Sequence, residues 1–302
     1  MSARRESLGV RLARLGLDGS RVVEDLVAAG VLRDGATAGS GADEVVTDAD
    51  LLLRLSESAD PAAAAAVLAG LAAADPVLAA RVRADAEWSA RVVAVAGASR
   101  PLGELLARAT DAVLGLADLE PVHAPTVAAA VAAAVRSADG TEAQAAGIAS
   151  IRRRATADVA ARDLTGAADV ARVAAELADL AEGVLSGTLT AVHAELGGAR
   201  PAARIAVIGM GKLGGRELNY VSDVDVMFVH APVDGADPAA ADEEARRVCA
   251  RLLELLNAST TMGRAYEVDP TLRPEGRAGA LSRTVEGFVA YWGRWARTWE
   301  FQ

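Results

Sequence analysis

The chain has 302 residues, 52% of them hydrophobic, and a formal net charge of -10 from 41 Asp+Glu against 31 Lys+Arg. That acidity excludes a global field for gathering DNA or RNA, so any nucleotide must be held at a local site. The lone Cys249 excludes an internal disulfide and a Cys-based zinc cluster; with no apolar run long enough for a signal peptide or a bilayer span, a soluble cytoplasmic protein without a membrane partner is expected.

In chain order, the first two thirds predict helices. Leu51–Leu71 comes first, with Asp60-Pro61 breaking it or starting a second helix. Asp75–Val95, Leu102–Leu116 and Pro125–Arg136 follow. The longest pattern, from about Ala167 to Leu196, sets Val170, Val173, Leu177, Leu180 and Val184 on one face. Alanine dominates here; it favours helix but fills little volume, so close helix packing is expected. Gly197-Gly198 ends the long helix and Pro201 keeps it from resuming.

Beyond that point the texture changes, and Trp88 is the only aromatic residue before Tyr220. Arg204–Ile208, Val224–Val229 and Ala265–Val268 read as strands. A linker over Ala231–Asp242 leads into a helix over Glu243–Leu256. A final helix capped by Thr284 carries Phe288, Trp292, Trp295 and Trp299, which reads as a packing face. The expected fold class is therefore α+β: an all-helical region over 1–198, then a domain over 199–302 with a small mixed sheet flanked by helices. No helix-stop signal precedes Glu300-Phe301-Gln302, so that domain is expected to be truncated at its C-terminal end.

The chemistry concentrates in Arg204–Val229. Gly209-Met210-Gly211-Lys212-Leu213-Gly214 satisfies the dinucleotide pattern G-x-G-x-x-G after a strand-like run. That fold needs a helix of several turns next, then a strand with an acidic residue at its far end. Here only Arg216–Ser222 intervenes, and Asp223 and Asp225 stand at the start of the next strand, with His230 at its end. A P-loop fails too, because Leu213 follows Lys212 where Ser or Thr must reach magnesium.

What remains is a glycine turn followed by Asp-Val-Asp at the head of an apolar strand. Residues i and i+2 share a face, so Asp223 and Asp225 present two carboxylates together. Like charges beside a core need compensation, and hard divalent cations supply it through oxygen ligands. The backbone amides of Gly211–Gly215, with Lys212, suit phosphate oxygens nearby. A third carboxylate would complete a two-metal site. Asp269 is the natural candidate, with Glu267 on the same strand face as its competitor, and Arg273 and Arg277 follow as phosphate-suited cations.

Gly209–Val226 resembles the signature of the glutamine synthetase adenylyltransferases. Gly263–Gly279 resembles that family's strand-Asp and L-R-P-x-G-R segment, Tyr291–Gln302 its W-x-x-x-x-x-x-W-E-x-Q helix, and Ile151–Leu164 its arginine-rich helical segment. Val221, and Pro270-Thr271 before Leu272, depart from the pattern. The resemblance implies a nucleotidyltransferase fold of the polymerase-β type. It also implies two opposed activities in two halves of a longer chain. Glu217-Leu218-Asn219-Tyr220 and the preceding helical region are similar to the N-terminal half, which removes AMP from a tyrosine of glutamine synthetase with inorganic phosphate and releases ADP.

By that resemblance Asp223, Asp225 and Asp269 hold two Mg2+ or Mn2+ ions. Gly211, Gly214 and Gly215 position the AMP phosphate, and Lys212, Ser222 and Arg273 contact phosphate. The implied partners are adenylylated glutamine synthetase, inorganic phosphate, ADP or ATP, and a PII-type signalling protein. Two alternatives stay open: forward adenylyl transfer from ATP, and a catalytically silent module that binds nucleotide. His123, His193, His230 and Cys249 read as background, and Arg152-Arg153-Arg154 as a solvated face or a contact with the acidic catalytic domain.

Overall fold

A computed structural model describes residues 6–17, 19–198 and 200–298. The chain divides into two compact units, one formed by residues up to 120 with Ala157–Asp169, the other by Pro121–Thr156 with the residues from Val170 onward.

The first unit is helical: α1 (Leu8–Arg14), α2 (Ser20–Ala28), α3 (Ala42–Val45), α4 (Ala49–Glu57), α5 (Pro61–Ala74), α6 (Pro76–Ala84), α7 (Ala86–Ala98), α8 (Arg100–Arg108) and α9 (Thr110–Gly115). Aspartates punctuate it. Asp48, Asp60, Asp75 and Asp85 each stand before a helix and accept an N–H from its first turn, and Pro61 and Pro76 follow where a missing N–H costs nothing. These caps realise the expected break at Asp60-Pro61 and explain one departure from periodicity. Leu51–Leu71 is two helices divided at Asp60, and Asp75–Val95 is divided at Asp85, whose carboxylate takes the amides of Glu87 and Trp88. Leu102–Leu116 also divides, at the extended residue Ala109, without a side-chain cap. The buried Trp88 anchors this core, its indole N–H donating to Val113 O at 2.9 Å.

The second unit combines α10 (Ala124–Ser137), residues 141–156 of α11 (Thr141–Leu164) and α12 (Val170–Gly197) with everything that follows. Periodicity passed over the first half of α11. Close packing of small residues is carried furthest between α10 and α12: a Cβ on Gly183 would sit 2.6 Å from Val127 Cβ, and one on Gly187 2.5 Å from Ala128 O.

The sheet is small and mixed, so the α+β class holds. β1 (Ala203–Gly209) pairs antiparallel with β2 (Val224–Pro232). On the other edge of β2, parallel partners follow in succession: β3 (Val268–Asp269) at its start and β4 (Ser282–Thr284) further along. Between β1 and β2 lies α13 (Gly211–Gly214); α14 (Pro238–Asn257), capped by Asp237, precedes β3, and α15 (Val285–Arg294), capped by Thr284, follows β4. The buried face of α14, including Val248, Cys249, Leu252 and Leu255, backs the sheet face that carries Val224, Val226 and Phe228.

The third strand corrects the sequence reading. Of Ala265–Val268 only Val268 joins the ladder; Ala265 and Tyr266 are buried, and the Tyr266 amide bonds Leu256 O. Their apolar character reflects burial, not strand pairing. β4 was not expected, because Ser-Arg-Thr carries no apolar alternation. Among the described residues no helix is long and apolar enough to cross a membrane.

Candidate active site at the head of the central strand

Along β2 the alternation expected from the sequence is realised. Val224 and Val226 are fully buried, Asp225 is partly buried on the opposite side, and Asp223, just before the strand, is exposed. The parallel register of β2 and β3 sets Asp225 directly opposite Asp269. Burial first, then repulsion from Asp223 and Asp269, raises the Asp225 pKa above the ordinary carboxylate value, against an opposing pull from Lys212. That field places the three aspartates and Lys212 in one neighbourhood. Glu267 is not in it: its carboxylate is exposed and paired with Arg264 at 3.3 Å.

The third carboxylate is held by its neighbours. One Asp269 oxygen accepts the Thr271 amide at 2.8 Å. Asn257, the last residue of α14, brackets the preceding residue: its Oδ1 accepts the Val268 amide at 3.1 Å and its Nδ2 donates to Val268 O at 3.5 Å. A side-chain amide thereby does the work of a neighbouring strand, a role no sequence pattern announced.

The glycine turn abuts this cluster. Met210 N bonds Asp225 O at 2.9 Å, which fixes the turn against the strand. Gly211 has φ +50, and a Cβ there would lie 3.0 Å from Asp225 Oδ2; on Gly214 it would meet Gly209 O at 2.6 Å. Nothing in the protein demands glycine at Gly215, where the nearest contact is an ordinary 3.4 Å. The amides of Gly214 and Gly215 are spent inside the turn, on Met210 O and Gly211 O. Within this turn, the Gly211, Lys212 and Leu213 amides have no backbone acceptor among the described residues. Arg216, in the left-handed region at φ 57, closes the turn and pairs with Asp179 of α12 at 2.8 Å.

Two proposed phosphate contacts find different circumstances. Ser222 Oγ is buried with no hydrogen-bond partner among the described residues, an orphaned polar atom beside the aspartates. Arg273 is turned into its own loop, donating to Pro270 O at 2.8 Å, Gly279 O at 3.2 Å and Arg277 O at 3.3 Å. Those bonds shape the segment after Asp269.

The donor set suits a hard cation: carboxylate oxygens on two adjacent strands, with a free carboxylate at Asp223. Among the described residues no three His, Cys, Asp or Glu side chains close around one point as a ready-made cage. Magnesium needs none, because it keeps several waters and is held by one or two carboxylates together with substrate phosphates.

Of the side chains read as background, His123 is exposed, and His193, His230 and Cys249 are engaged by their neighbours. His230 is buried between Ser282 Oγ at 2.8 Å and Asp242 Oδ1 at 2.7 Å, and His193 lies 2.9 Å from Glu244. Burial pushes the Cys249 thiol up to about 12, which leaves it inert. On α15 the aromatic stripe is only partly a packing face. Phe288 is buried with Trp292 at 5.4 Å, but Trp292 and Trp295 are exposed, and Trp299 lies outside the described residues.

A profile of the glutamate-ammonia ligase adenylyltransferase family matches residues 89–302. A bifunctional glutamine synthetase adenylyltransferase/adenylyl-removing enzyme of Streptomyces avermitilis is 47% identical over 150 residues, covering 50% of this chain and 15% of that protein. Its namesake in Nocardia farcinica is 41% identical over 222 residues, 70% of this chain and 22% of that protein. That of Mycobacterium tuberculosis is 48% identical over 130 residues, 43% of this chain and 12% of that protein. The chain thus spans between 12% and 22% of the length of these curated relatives.

Proposed function

This chain belongs to the glutamate-ammonia ligase adenylyltransferase family, and from that premise we propose that its sheet-bearing unit removes AMP from an adenylylated tyrosine of glutamine synthetase by phosphorolysis. The observation that carries the reading is the in-register pair Asp225 and Asp269, with Asp223 and Lys212 in the same field beside the glycine turn.

An oxygen of inorganic phosphate bonds to the AMP phosphorus, and the bond from that phosphorus to the tyrosyl oxygen breaks. The proton of the attacking phosphate ends on the tyrosine, so the products are ADP and unmodified tyrosine. Asp223, Asp225 and Asp269 would hold magnesium or manganese, which neutralises phosphoryl oxygens and orients the attacking phosphate when bound. The chain's own part is positional and electrostatic. The Gly211, Lys212 and Leu213 amides and the Lys212 ammonium face phosphate oxygens, Ser222 Oγ supplies an unused polar group, and Gly214 and Gly215 keep the turn free of side chains. The nucleophile arrives with the substrate, which accords with a buried Cys249 and an enclosed His230.

Removal is favoured over addition by Glu217-Leu218-Asn219-Tyr220, which is similar to the N-terminal half of the family, and by the helical region ahead of it. The same reading places the protein in the cytoplasm with adenylylated glutamine synthetase, phosphate and ADP or ATP as partners, under a PII-type signalling protein. The test is ADP release from adenylylated glutamine synthetase with phosphate and magnesium, for the chain and its Asp225→Asn variant. Phosphate-dependent release that vanishes in the variant is the expected result. Incorporation of AMP from ATP without phosphorolysis would reassign the unit to the forward reaction, and nucleotide binding with neither turnover would make it a silent module.

A further inference from the structure

We propose that Arg152 is a positioning residue for the carboxylate site, tying together the two chain segments that deliver Asp223 and Asp269; the proposal rests on the metal-binding reading above. Arg152 belongs to the part of α11 that lies in the same compact unit as the sheet. Its Nη2 donates to the Tyr220 carbonyl oxygen at 3.3 Å, and its guanidinium carbon lies 4.8 Å from the centre of the Tyr266 ring. Tyr220 stands three residues before Asp223, and Tyr266 three residues before Asp269. One planar cation thus spans the approach to the first carboxylate and the approach to the third.

The middle carboxylate needs no such help. Asp225 is set by the ladder itself, through the β3 register and the Met210 bond to its carbonyl. Asp223 precedes β2, and Asp269 ends a strand of two residues, so both depend on irregular chain. Arg152 contacts that irregular chain on both sides.

Stability alone does not explain an arginine here. Its Nε is buried without an acceptor among the described residues, and a desolvated, unmatched donor works against folding. The guanidinium plane accounts for the choice: it stacks on one group while donating in its own plane to another, which a lysine ammonium does not reproduce. Outer groups that orient metal ligands commonly change affinity about 10–100-fold when removed.

The test measures Mn2+ binding by the electron paramagnetic resonance signal of the free ion, on the whole 302-residue chain. Arg152→Met is expected to weaken binding about 10–100-fold, with Arg152→Lys between it and the wild type. Tyr266→Phe keeps the ring face but loses the hydroxyl that the guanidinium also bonds, so its affinity should lie between wild type and Tyr266→Leu, which should lose most. Arg251→Met serves as the control for stability, since Arg251 bonds Thr141 and Gln144 on the same helix, away from the aspartates. Its affinity should match the wild type even where its melting temperature falls.

Arg152→Met binding within about twofold of wild type would overturn the proposal, and so would an equal loss in Arg251→Met. Should Arg152→Met not fold, Tyr266→Leu against Tyr266→Phe decides by the same criterion. A wild-type chain that binds no Mn2+ overturns the metal reading itself, and this inference with it; tight binding by both wild type and Arg152→Met sinks the positioning role alone.

Discussion

Asp158, on α11, carries a carboxyl that burial alone pushes up to about 6 from an ordinary 3.8. The folded chain therefore holds this proton more tightly than the unfolded chain does, and its contribution to stability is complete below about pH 4 and lost as pH rises through about 6. Asp158→Asn cannot ionise. Its advantage over the wild type is expected to be near zero at pH 4 and to grow to about 2 kcal/mol by pH 7, allowing for partial exposure. Thermal unfolding at several pH values checks this, and a variant advantage independent of pH refutes it. Nothing local in the sequence marks Asp158, because its environment comes from residues far along the chain. Asp223 and Asp225 were legible for the opposite reason: i and i+2 spacing is local geometry. Asp269 was chosen over Glu267 from the sequence, and the β3 register sets it opposite Asp225, whereas the engagement of Arg273 needed the fold of its loop.

Between elements, the contact of α10 with α12 is decided by glycine. At Gly187 an added Cβ would meet Ala128 O at 2.5 Å and Val131 Cβ at 2.9 Å, backbone and core atoms that cannot yield cheaply. Alanine improves helix propensity by about 1 kcal/mol, but overpacking of this kind costs about 1–3 kcal/mol or more. A net loss of about 1–2 kcal/mol is expected for Gly187→Ala. Gly147→Ala on α11 should do the reverse, since its nearest contact is Ala134 Cβ at 3.4 Å and the propensity gain survives. Opposite shifts in urea midpoint are the signature; shifts of the same sign would mean that the helices slide apart to accommodate the methyl. Alanine-rich composition did foretell close packing. It did not reveal where helices stop, because an aspartate cap such as Asp85 overrides an unbroken apolar period.

For the whole molecule, the change of texture after residue 198 is real, since every strand among the described residues lies beyond it. The core does not respect that line. Glu244 of α14 meets His193 of α12 at 2.9 Å, while Arg216 reaches Asp179 and Arg251 reaches Gln144. A fragment of residues 199–302 is therefore expected to lack cooperative unfolding and near-ultraviolet circular dichroism, both present in the full chain. A dispersed, sharp NMR spectrum from that fragment would show the sheet to be self-sufficient. The α+β class was readable from periodicity and composition, but the dependence of the sheet on earlier helices was not, because contacts between distant segments leave no period behind.

The bracket that Asn257 forms around Val268 separates the fates of the three acids. Asp225 sits in the central strand and moves only with it, and Asp223 stands in the chain just before that strand. The third hangs from the last residue of a helix, so small changes in how that helix ends translate directly into the gap between charges. Magnesium demands near-ideal octahedral geometry at short range, whereas larger cations accept looser surroundings. Selection acting on the end of α14 can thus retune which ion the cluster prefers while leaving every acid in place, an adjustment screw set apart from the parts it adjusts.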